Sequence, residues 1–144
     1  MKQVNIALFL LACSLVVQGC WSKPQNRLIA QDLIGFWKTD RDQSQGLARE
    51  LETELYLREG GAFELSNVSV CWRSIDSSDC KSITSYSGSW RMMPMDNGRF
   101  YLILNLNQQN DFRSLEIETD GSVQLISYLG DPDSNDRMVL SRGR

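Results

Sequence analysis

Histidine is absent from this chain of 144 residues, and proline occurs only three times. The absence of histidine excludes Ser-His-Asp and Cys-His catalytic units, histidine-ligated metal sites and histidine-based pH switches. The chain also has no excess of positive charge, because 15 Lys and Arg stand against 18 Asp and Glu. Nucleic-acid binding normally needs a basic face, so we expect no nucleic-acid partner. The remaining composition, 42% hydrophobic and 23% charged, is that of one globular domain.

The N-terminus carries an apolar stretch from Ile6 to Val17 behind a single cation, Lys2. About a dozen apolar residues are too few to cross a bilayer, which takes about twenty. A short apolar core with one cation before it and a small residue, Gly19, after it is typical of a secretory signal. We therefore expect residues 1–19 to be a signal peptide that is removed during export.

Residues 15–20, Leu-Val-Val-Gln-Gly-Cys, resemble the lipobox of bacterial lipoproteins, in which processing occurs before a cysteine that carries a diacylglyceryl group. The resemblance implies a membrane anchor on Cys20, a lipidated tether over residues 20–31 and a place in the bacterial cell envelope. Trp21, rather than aspartate, at the next position implies the outer membrane, with the protein facing the periplasm. An ordinary cleaved signal without a lipid is the alternative.

The number of cysteines favours one lipid attachment and one disulfide. Loss of Cys13 with the signal leaves Cys20, Cys71 and Cys80, an odd number in an oxidising compartment. Acylation of Cys20 removes the odd thiol, and Cys71 then pairs with Cys80. Closing a loop of about ten residues stabilises the fold by about 2–3 kcal/mol through the unfolded state. A redox dithiol would need a Cys-x-x-Cys spacing, and two thiolates without histidine make a poor zinc site, so we expect neither a cofactor nor a metal.

From Leu33 onward, apolar and polar residues alternate with period two almost everywhere, which predicts short β-strands. Tight-turn signals separate the segments at Gly60-Gly61, Asn97-Gly98 and Asp120-Gly121, and Asn97-Gly98 favours a type I′ turn. The predicted strands are Ile34–Thr39, Leu51–Arg58, Ala62–Val70, Thr84–Met93, Arg99–Asn107, Ser114–Thr119, Ser122–Leu129 and Arg137–Arg142. The fold class is therefore all-β.

Eight antiparallel strands with one apolar face each can close into a barrel that exposes no strand edge. We expect a β-bulge near Ser66-Asn67, because the alternation changes phase there. A short N-terminal helical turn with Leu28, Ile29 and Leu33 on one side should plug one end of the barrel. The polar segment 40–50 should cover a mouth as a loop with a helical turn.

A Gly-x-Trp motif, Gly35 and Trp37, stands at the start of the first strand behind a helical turn. Followed by an eight-stranded meander, this opening resembles that of lipocalins and other calycin barrels. The resemblance implies that Trp37 closes the floor of the core and that an arginine of the last strand, Arg137 or Arg142, lies across its face. It also implies a site for a small apolar molecule inside the barrel.

The predicted barrel domain covers residues 32–144 and is shorter than typical ligand-carrying lipocalins. Eight strands form a barrel just wide enough to be filled by its own side chains, which favours a filled core over a ligand-sized cavity. In a hollow barrel, Trp90 and Met92 would be candidate ligand contacts. The expected wall or filling residues are Leu55, Phe63, Trp90, Met92, Leu104, Leu125 and Met138.

These features lead to two functional hypotheses. The first is a membrane-tethered, non-catalytic binding module of the envelope that takes a small apolar ligand or lipid. The alternative is a periplasmic inhibitor or immunity-type protein that binds an enzyme or toxin through its disulfide-braced loop. A Leu-x-Gly-x-Trp opening with one disulfide is similar to that of bacterial metalloprotease inhibitors, and lysozyme-inhibitor lipoproteins share the general plan. In that case Trp72, Arg73 and Ile75 are the expected contact residues, because such types are enriched at interfaces.

Acidic residues do not predict catalysis in this chain. Pairs such as Glu52 and Glu54 are two residues apart on a predicted strand, so both side chains lie on its solvated face rather than flanking a substrate. The acidic loop 131–136 lacks the glycine at the sixth place of a calcium loop, and Arg142 stands where the bidentate acid should be. We therefore expect no enzymatic activity and no metal site.

Overall fold

The computed structural model describes residues 28–72, 79–107, 111–131, 133 and 135–143. Each strand in this part of the chain is antiparallel to its neighbours, and the first also pairs with the last, so the sheet closes into an eight-stranded barrel. The predicted all-β antiparallel barrel is confirmed. The strands are β1 (Gly35–Thr39), β2 (Glu54–Leu57), β3 (Ala62–Ser69), β4 (Ile83–Pro94), β5 (Phe100–Leu106), β6 (Phe112–Glu118), β7 (Gln124–Tyr128) and β8 (Arg137–Arg142).

The barrel interior consists of the apolar side chains that alternate along the strands. Trp37 on β1 lies opposite Leu55 on β2, and Leu55 lies opposite Leu65 on β3. Burying each such side chain contributes about 1.5–3 kcal/mol, which makes this cluster the main source of stability. Its other buried members include Leu57, Phe63, Trp90, Leu102, Leu104, Leu106, Leu115, Ile117, Leu125, Leu129, Met138 and Leu140, and Met92 packs against it half-buried.

Three strands also bury apolar side chains on their outer faces, although the sequence predicts one apolar face per strand. Ile103 on β5, Ile126 on β7 and Val139 on β8 point away from the interior, because their neighbours in each strand point into it. They are nevertheless buried. The hydroxyl of Ser44 accepts a hydrogen bond from the Val139 amide at 3.1 Å, which brings the segment after β1 against this face. Short runs of consecutive apolar residues, such as 102–104 on β5 and 138–140 on β8, therefore interrupt the alternation where a strand is buried on both sides.

Strand β2 begins at Glu54, later than the predicted start at Leu51. Thr53 is fully buried, and its amide donates to the hydroxyl of Thr39 at 2.9 Å. Its own hydroxyl donates to the carbonyl of Asn67 at 3.0 Å. The Thr53 carbonyl still accepts a backbone bond from the Thr39 amide at 3.0 Å, but the Thr53 amide bonds to a side chain, so the regular ladder begins only at Glu54.

The bulge predicted near Ser66-Asn67 is confirmed. The register between β3 and β4 shifts between Leu65 and Val68. Asn67 has a φ of 55°, a left-handed conformation that asparagine adopts more readily than most residues. The extra residue changes the phase of the strand, so that Leu65 and Val68 are both buried.

The turn between β4 and β5 differs from the predicted type I′ turn at Asn97-Gly98. Gly98 has a φ of 77°, whereas the one non-glycine residue with positive φ in the described part of the chain is Asn67, so Asn97 is not left-handed. The Gly98 amide donates to the Met95 carbonyl at 3.0 Å, and the Asn97 side chain accepts from the Arg99 amide at 3.0 Å. The connection is therefore a longer hairpin loop in which a single left-handed glycine follows the turn.

The two ends of the barrel are covered by short 3₁₀ turns. At the floor end, where β1 begins and β8 ends, the turn Ala30–Leu33 packs Leu33 into the core together with Leu28, whereas Ile29, expected beside them, is 47% exposed. At the disulfide end, where β3 ends and β4 begins, the turns Gly46–Arg49 and Val70–Trp72 cover the other mouth. The first of these confirms the helical turn predicted within residues 40–50.

Candidate functional site

At the floor end, Trp37 and Arg142 form a stacked pair that closes the barrel. Trp37 is fully buried, and its indole Nε1 donates to the Leu33 carbonyl at 2.8 Å. The guanidinium carbon of Arg142 lies 4.5 Å from the centroid of the Trp37 ring. The same guanidinium donates hydrogen bonds to the carbonyls of Asp32 and Ile34. Of the two candidate arginines, the structure places Arg142 across the tryptophan.

Of the other two predicted floor residues, Gly35 lies at the floor end beside Arg142, whereas Arg137 does not. Arg137 is at the opposite end of β8 and faces outward, with its Nη2 3.8 Å from Oε1 of Glu118. Gly35 has a φ of 129°, and a Cβ atom there would lie 2.5 Å from Nη1 of Arg142. Glycine at this position therefore provides both the backbone conformation and the space that the arginine occupies.

The opposite end of the barrel is braced by a disulfide between Cys71 and Cys80, whose Cα atoms are 5.0 Å apart. This pairing confirms the prediction from the cysteine count. The hydroxyl of Ser69 accepts from the Cys71 amide at 3.1 Å and donates to the Cys80 carbonyl at 2.6 Å, which joins the two halves of the loop base. Next to it, a hydrogen bond from the Ser82 hydroxyl holds the pKa of the exposed Asp79 carboxyl below its ordinary value.

Trp72, directly after Cys71, fills the disulfide end of the barrel. Only 4% of Trp72 is exposed, and its Nε1 donates to the hydroxyl of Ser127 on β7 at 3.0 Å. Its ring is tilted by 45° against that of Tyr86 on β4, with the centroids 5.7 Å apart. Such aromatic pairs contribute about 0.5–1.5 kcal/mol beyond their buried area. One side chain thus links two strands that are not neighbours in the sheet.

The main chain around Trp72 is held from two further directions. Nε of Arg113 on β6 donates to the Trp72 carbonyl at 3.1 Å, and Nη1 of Arg113 lies 3.3 Å from the carboxylate of Asp111. The Gly130 amide, just after β7, donates to the Cys71 carbonyl at 3.0 Å. Together with the disulfide, these bonds fix the turn Val70–Trp72 over the mouth and give the disulfide end a defined surface.

The outside of the disulfide end combines exposed apolar side chains with many acidic ones. Ile83 and Phe112 are 57% and 58% exposed, and Tyr128 is also exposed. In the described part of the connections at this end, acidic residues outnumber basic ones by nine to three. The acidic residues are Asp40, Asp42, Glu50, Glu52, Asp79, Asp111, Asp131, Asp133 and Asp136, and the basic ones are Arg41, Arg49 and Lys81.

Three of the five predicted contact residues, namely Trp72, Trp90 and Met92, lie in the described part of the chain. Trp72 belongs to the core, so it is not a surface contact, and Arg73 and Ile75 lie outside the described residues. Trp90 and Met92 lie on the interior wall, where the indole of Trp90 donates to a carbonyl of the β2–β3 connection at 3.1 Å. Among the described residues, Trp72, proposed for partner binding, and Trp90 and Met92, proposed for ligand binding, therefore occupy different parts of the barrel.

Tyr86, Arg113 and Ser127, which hold Trp72 in place, are not among the predicted site residues. Arg113 carries the clearest signal for such a role. It has the same strand phase as the buried Leu115, and a charged residue in an inward phase must find polar partners at the end of the barrel. Tyr86 and Ser127 have no comparable signal, because aromatic and small polar residues are common on strands.

A polar cleft of about 540 Å³ lies along the outside of β1 and β2, and carboxylates contribute to its lining. Glu52 forms an ion pair with Arg41, and Glu54 lies opposite Lys38 in the strand register. The lining residues are Lys38, Thr39, Asp40, Arg41, Glu52 and Glu54. Within the residues that the structure describes, no group of three or more cysteine and carboxylate side chains is placed to hold a metal ion. Among the same residues, no helix is long and apolar enough to cross a membrane.

A scan of protein-family models, a search of curated proteins and a search of solved structures each return no match to this chain. The class of protein is therefore defined by its geometry: a closed, eight-stranded antiparallel barrel, compatible with a lipocalin-like barrel, with one disulfide. Its two ends are occupied by tryptophan side chains, Trp37 at the floor end and Trp72 at the disulfide end.

Proposed function

We propose that this protein is a lipid-anchored, non-catalytic binding module of the bacterial cell envelope that binds another envelope protein through the disulfide end of its barrel. The observation that carries the proposal is that the barrel's own side chains occupy both ends. Trp37 and Arg142 cover the floor end, and Trp72 covers the other. The apolar interior is used for packing, which leaves the exterior for recognition.

The disulfide end is the best-supported contact surface. The described part of this end is held by the Cys71–Cys80 disulfide and the hydrogen bonds around Trp72, which lowers the conformational entropy that these residues lose when a partner binds. Ile83, Phe112 and Tyr128 supply exposed apolar area beside it, and aromatic residues are enriched at protein interfaces. This proposal corresponds to an inhibitor or immunity-type protein whose partner is an enzyme or toxin.

The membrane anchor rests on the sequence around Cys20. With Cys71 and Cys80 paired, removal of residues 1–19 leaves Cys20 as the remaining thiol in an oxidising compartment. Acylation consumes that thiol and ties the barrel to a membrane, since several acyl chains at one cysteine anchor a protein far more firmly than one. We place the protein at the outer membrane, facing the periplasm.

Site-specific photo-crosslinking in the bacterium that carries the gene tests the contact surface. A photoreactive amino acid replaces Ile83 or Phe112 at the disulfide end, and Tyr56, which is 42% exposed on the outside of β2, serves as the matched control. We expect a discrete crosslinked protein from the disulfide end and none from position 56. Equal crosslinking from all three positions, or none from Ile83 and Phe112, would refute the proposed surface.

A small apolar ligand or lipid inside the barrel has weaker support, because Trp90 and the surrounding leucines already pack against one another. Mass spectrometry of lipids extracted from the purified barrel distinguishes the two functions. We expect no stoichiometric lipid, and no saturable binding of a fluorescent fatty acid. A stoichiometric lipid that the fatty acid displaces would instead favour a ligand carrier.

A further inference from the structure

We infer that the barrel stands end-on to the membrane, with the floor end facing the phospholipid surface and the disulfide end directed away from it. This inference rests on the proposed lipid anchor at Cys20. The inference goes beyond the anchor because it specifies which surface of the barrel faces the bilayer and which surface remains accessible to a partner.

The chain enters the barrel at the floor end. Leu28 is buried in the core and, together with Val123 of the β6–β7 connection and Arg142, it lines a cleft of about 720 Å³. Eight peptide units separate Cys20 from Leu28, and an extended chain covers at most about 3.6 Å per residue, so the anchor lies within about 29 Å of Leu28. The floor end is therefore the end of the barrel that the anchor holds near the bilayer.

The floor end carries exposed apolar side chains that suit contact with a bilayer, as the disulfide end also does, so the position of the tether and the charge decide between the two ends. Ile29 lies beside the point where the chain enters, and Met93 and Met95 lie at the end of β4 that reaches the same rim. All three are exposed. The bilayer interface accommodates apolar side chains that water does not favour, so contact with this surface removes them from water.

The difference in charge between the two ends favours the same orientation. The described connections at the disulfide end contain nine acidic residues and three basic ones. The described connections at the floor end have four acidic residues and two basic ones, namely Asp32, Glu59, Asp96, Asp120, Arg58 and Arg99. An anionic leaflet repels the more acidic end more strongly within a Debye length of about 8–10 Å. Tether position and charge therefore both direct the disulfide end away from the membrane.

Spin labels at the two ends measure the orientation. The full-length chain is expressed in a host that processes lipoproteins. The processed protein is purified and reconstituted into vesicles of phosphatidylethanolamine and phosphatidylglycerol that contain a nickel-chelating lipid. Asp96→Cys labels the floor end and Asp133→Cys labels the disulfide end. The two variants are matched, because each replaces an exposed turn residue and removes one carboxylate. Electron paramagnetic resonance then reports the collision rate of each label with nickel at the lipid headgroups.

We expect the label at position 96 to collide with headgroup nickel several-fold more often than the label at position 133. Equal rates, or a higher rate at position 133, would overturn the end-on orientation while leaving the proposed function intact. Flotation of the unlabelled protein with vesicles, compared with its Cys20→Ser variant, tests the anchor separately. If the wild-type chain carries no acyl group and does not float, the anchor and the orientation both fail.

Discussion

Replacement of Arg142 by alanine should destabilise the barrel much more than the same replacement of Arg137. Arg142 stacks on the buried ring of Trp37 at 4.5 Å and donates to two backbone carbonyls of the segment before β1. Arg137 makes a surface contact with Glu118 at 3.8 Å. The two arginines lie on the same strand, so they form a matched pair in which charge and residue type are held constant.

The expected magnitude follows from the contacts of each arginine. Stacking on an indole contributes about 0.5–2 kcal/mol, and a hydrogen bond from a charged donor about 1.5–3 kcal/mol when its partner is buried. Water can reach carbonyls at the exposed edge of the floor, so we expect a loss of about 2–4 kcal/mol for Arg142→Ala. Surface ion pairs contribute about 0–1 kcal/mol, which bounds the loss for Arg137→Ala. Arg142→Lys keeps the charge without the planar fork and should fall between the two.

Urea unfolding of residues 21–144, followed by tryptophan fluorescence, measures these differences. With a denaturant slope of about 1.5 kcal/mol per molar urea, a loss of 3 kcal/mol lowers the midpoint by about 2 M. The reasoning is refuted if both alanine variants unfold at the same midpoint, or if Arg142→Ala changes the stability by less than about 0.5 kcal/mol, a typical surface effect.

Three further predictions concern other parts of the barrel. Replacing both Cys71 and Cys80 by serine should lower the free energy of unfolding by about 2–3 kcal/mol, measured by urea titration; an unchanged midpoint would contradict it. Gly88→Ala should cost about 1–3 kcal/mol or more, because the added methyl would collide with a carbonyl oxygen of β5; wild-type thermal stability would be evidence against this packing. The Asp79 carboxyl should titrate below the ordinary pKa of aspartate in a carbon-13 NMR titration, and Ser82→Ala should raise this pKa, because the Ser82 hydroxyl is the largest cause of its lowering; an unchanged pKa in the variant would contradict that role. Because the folded pKa is the lower one, this group stabilises the fold above the unfolded pKa, and the stabilisation is lost as the pH falls through the folded pKa.

The strand pattern was predictable because period two is a local property. Alternating apolar residues and glycine-containing turns locate all eight strands, and the phase change near Asn67 locates the bulge. The boundaries were less predictable, since the late start of β2 depends on hydrogen bonds of Thr53 with residues far away in the chain. The conformation of Asn97 was not predictable from its sequence preference, because the loop closes through Gly98 alone.

Most of the contacts at the two ends of the barrel could not be predicted from the sequence and became evident only in the folded structure. The strand phase does predict which arginine stacks on Trp37. Arg142 shares the inward phase of Met138 and Leu140, whereas Arg137 does not. Trp72 carries no comparable signal. Its position depends on a 3₁₀ turn that brings it under the mouth, and no periodicity of the sequence encodes that turn.

Closure of the sheet determines how this molecule can be recognised. Because β1 is hydrogen-bonded to β8, the sheet lacks the open side along which many receptors and chaperones add a strand of a bound peptide. A protein partner must therefore bind loops and side chains, as an antibody does. It cannot extend the sheet through backbone hydrogen bonds. The same closure protects the folded chain from joining its copies edge to edge into extended β-aggregates.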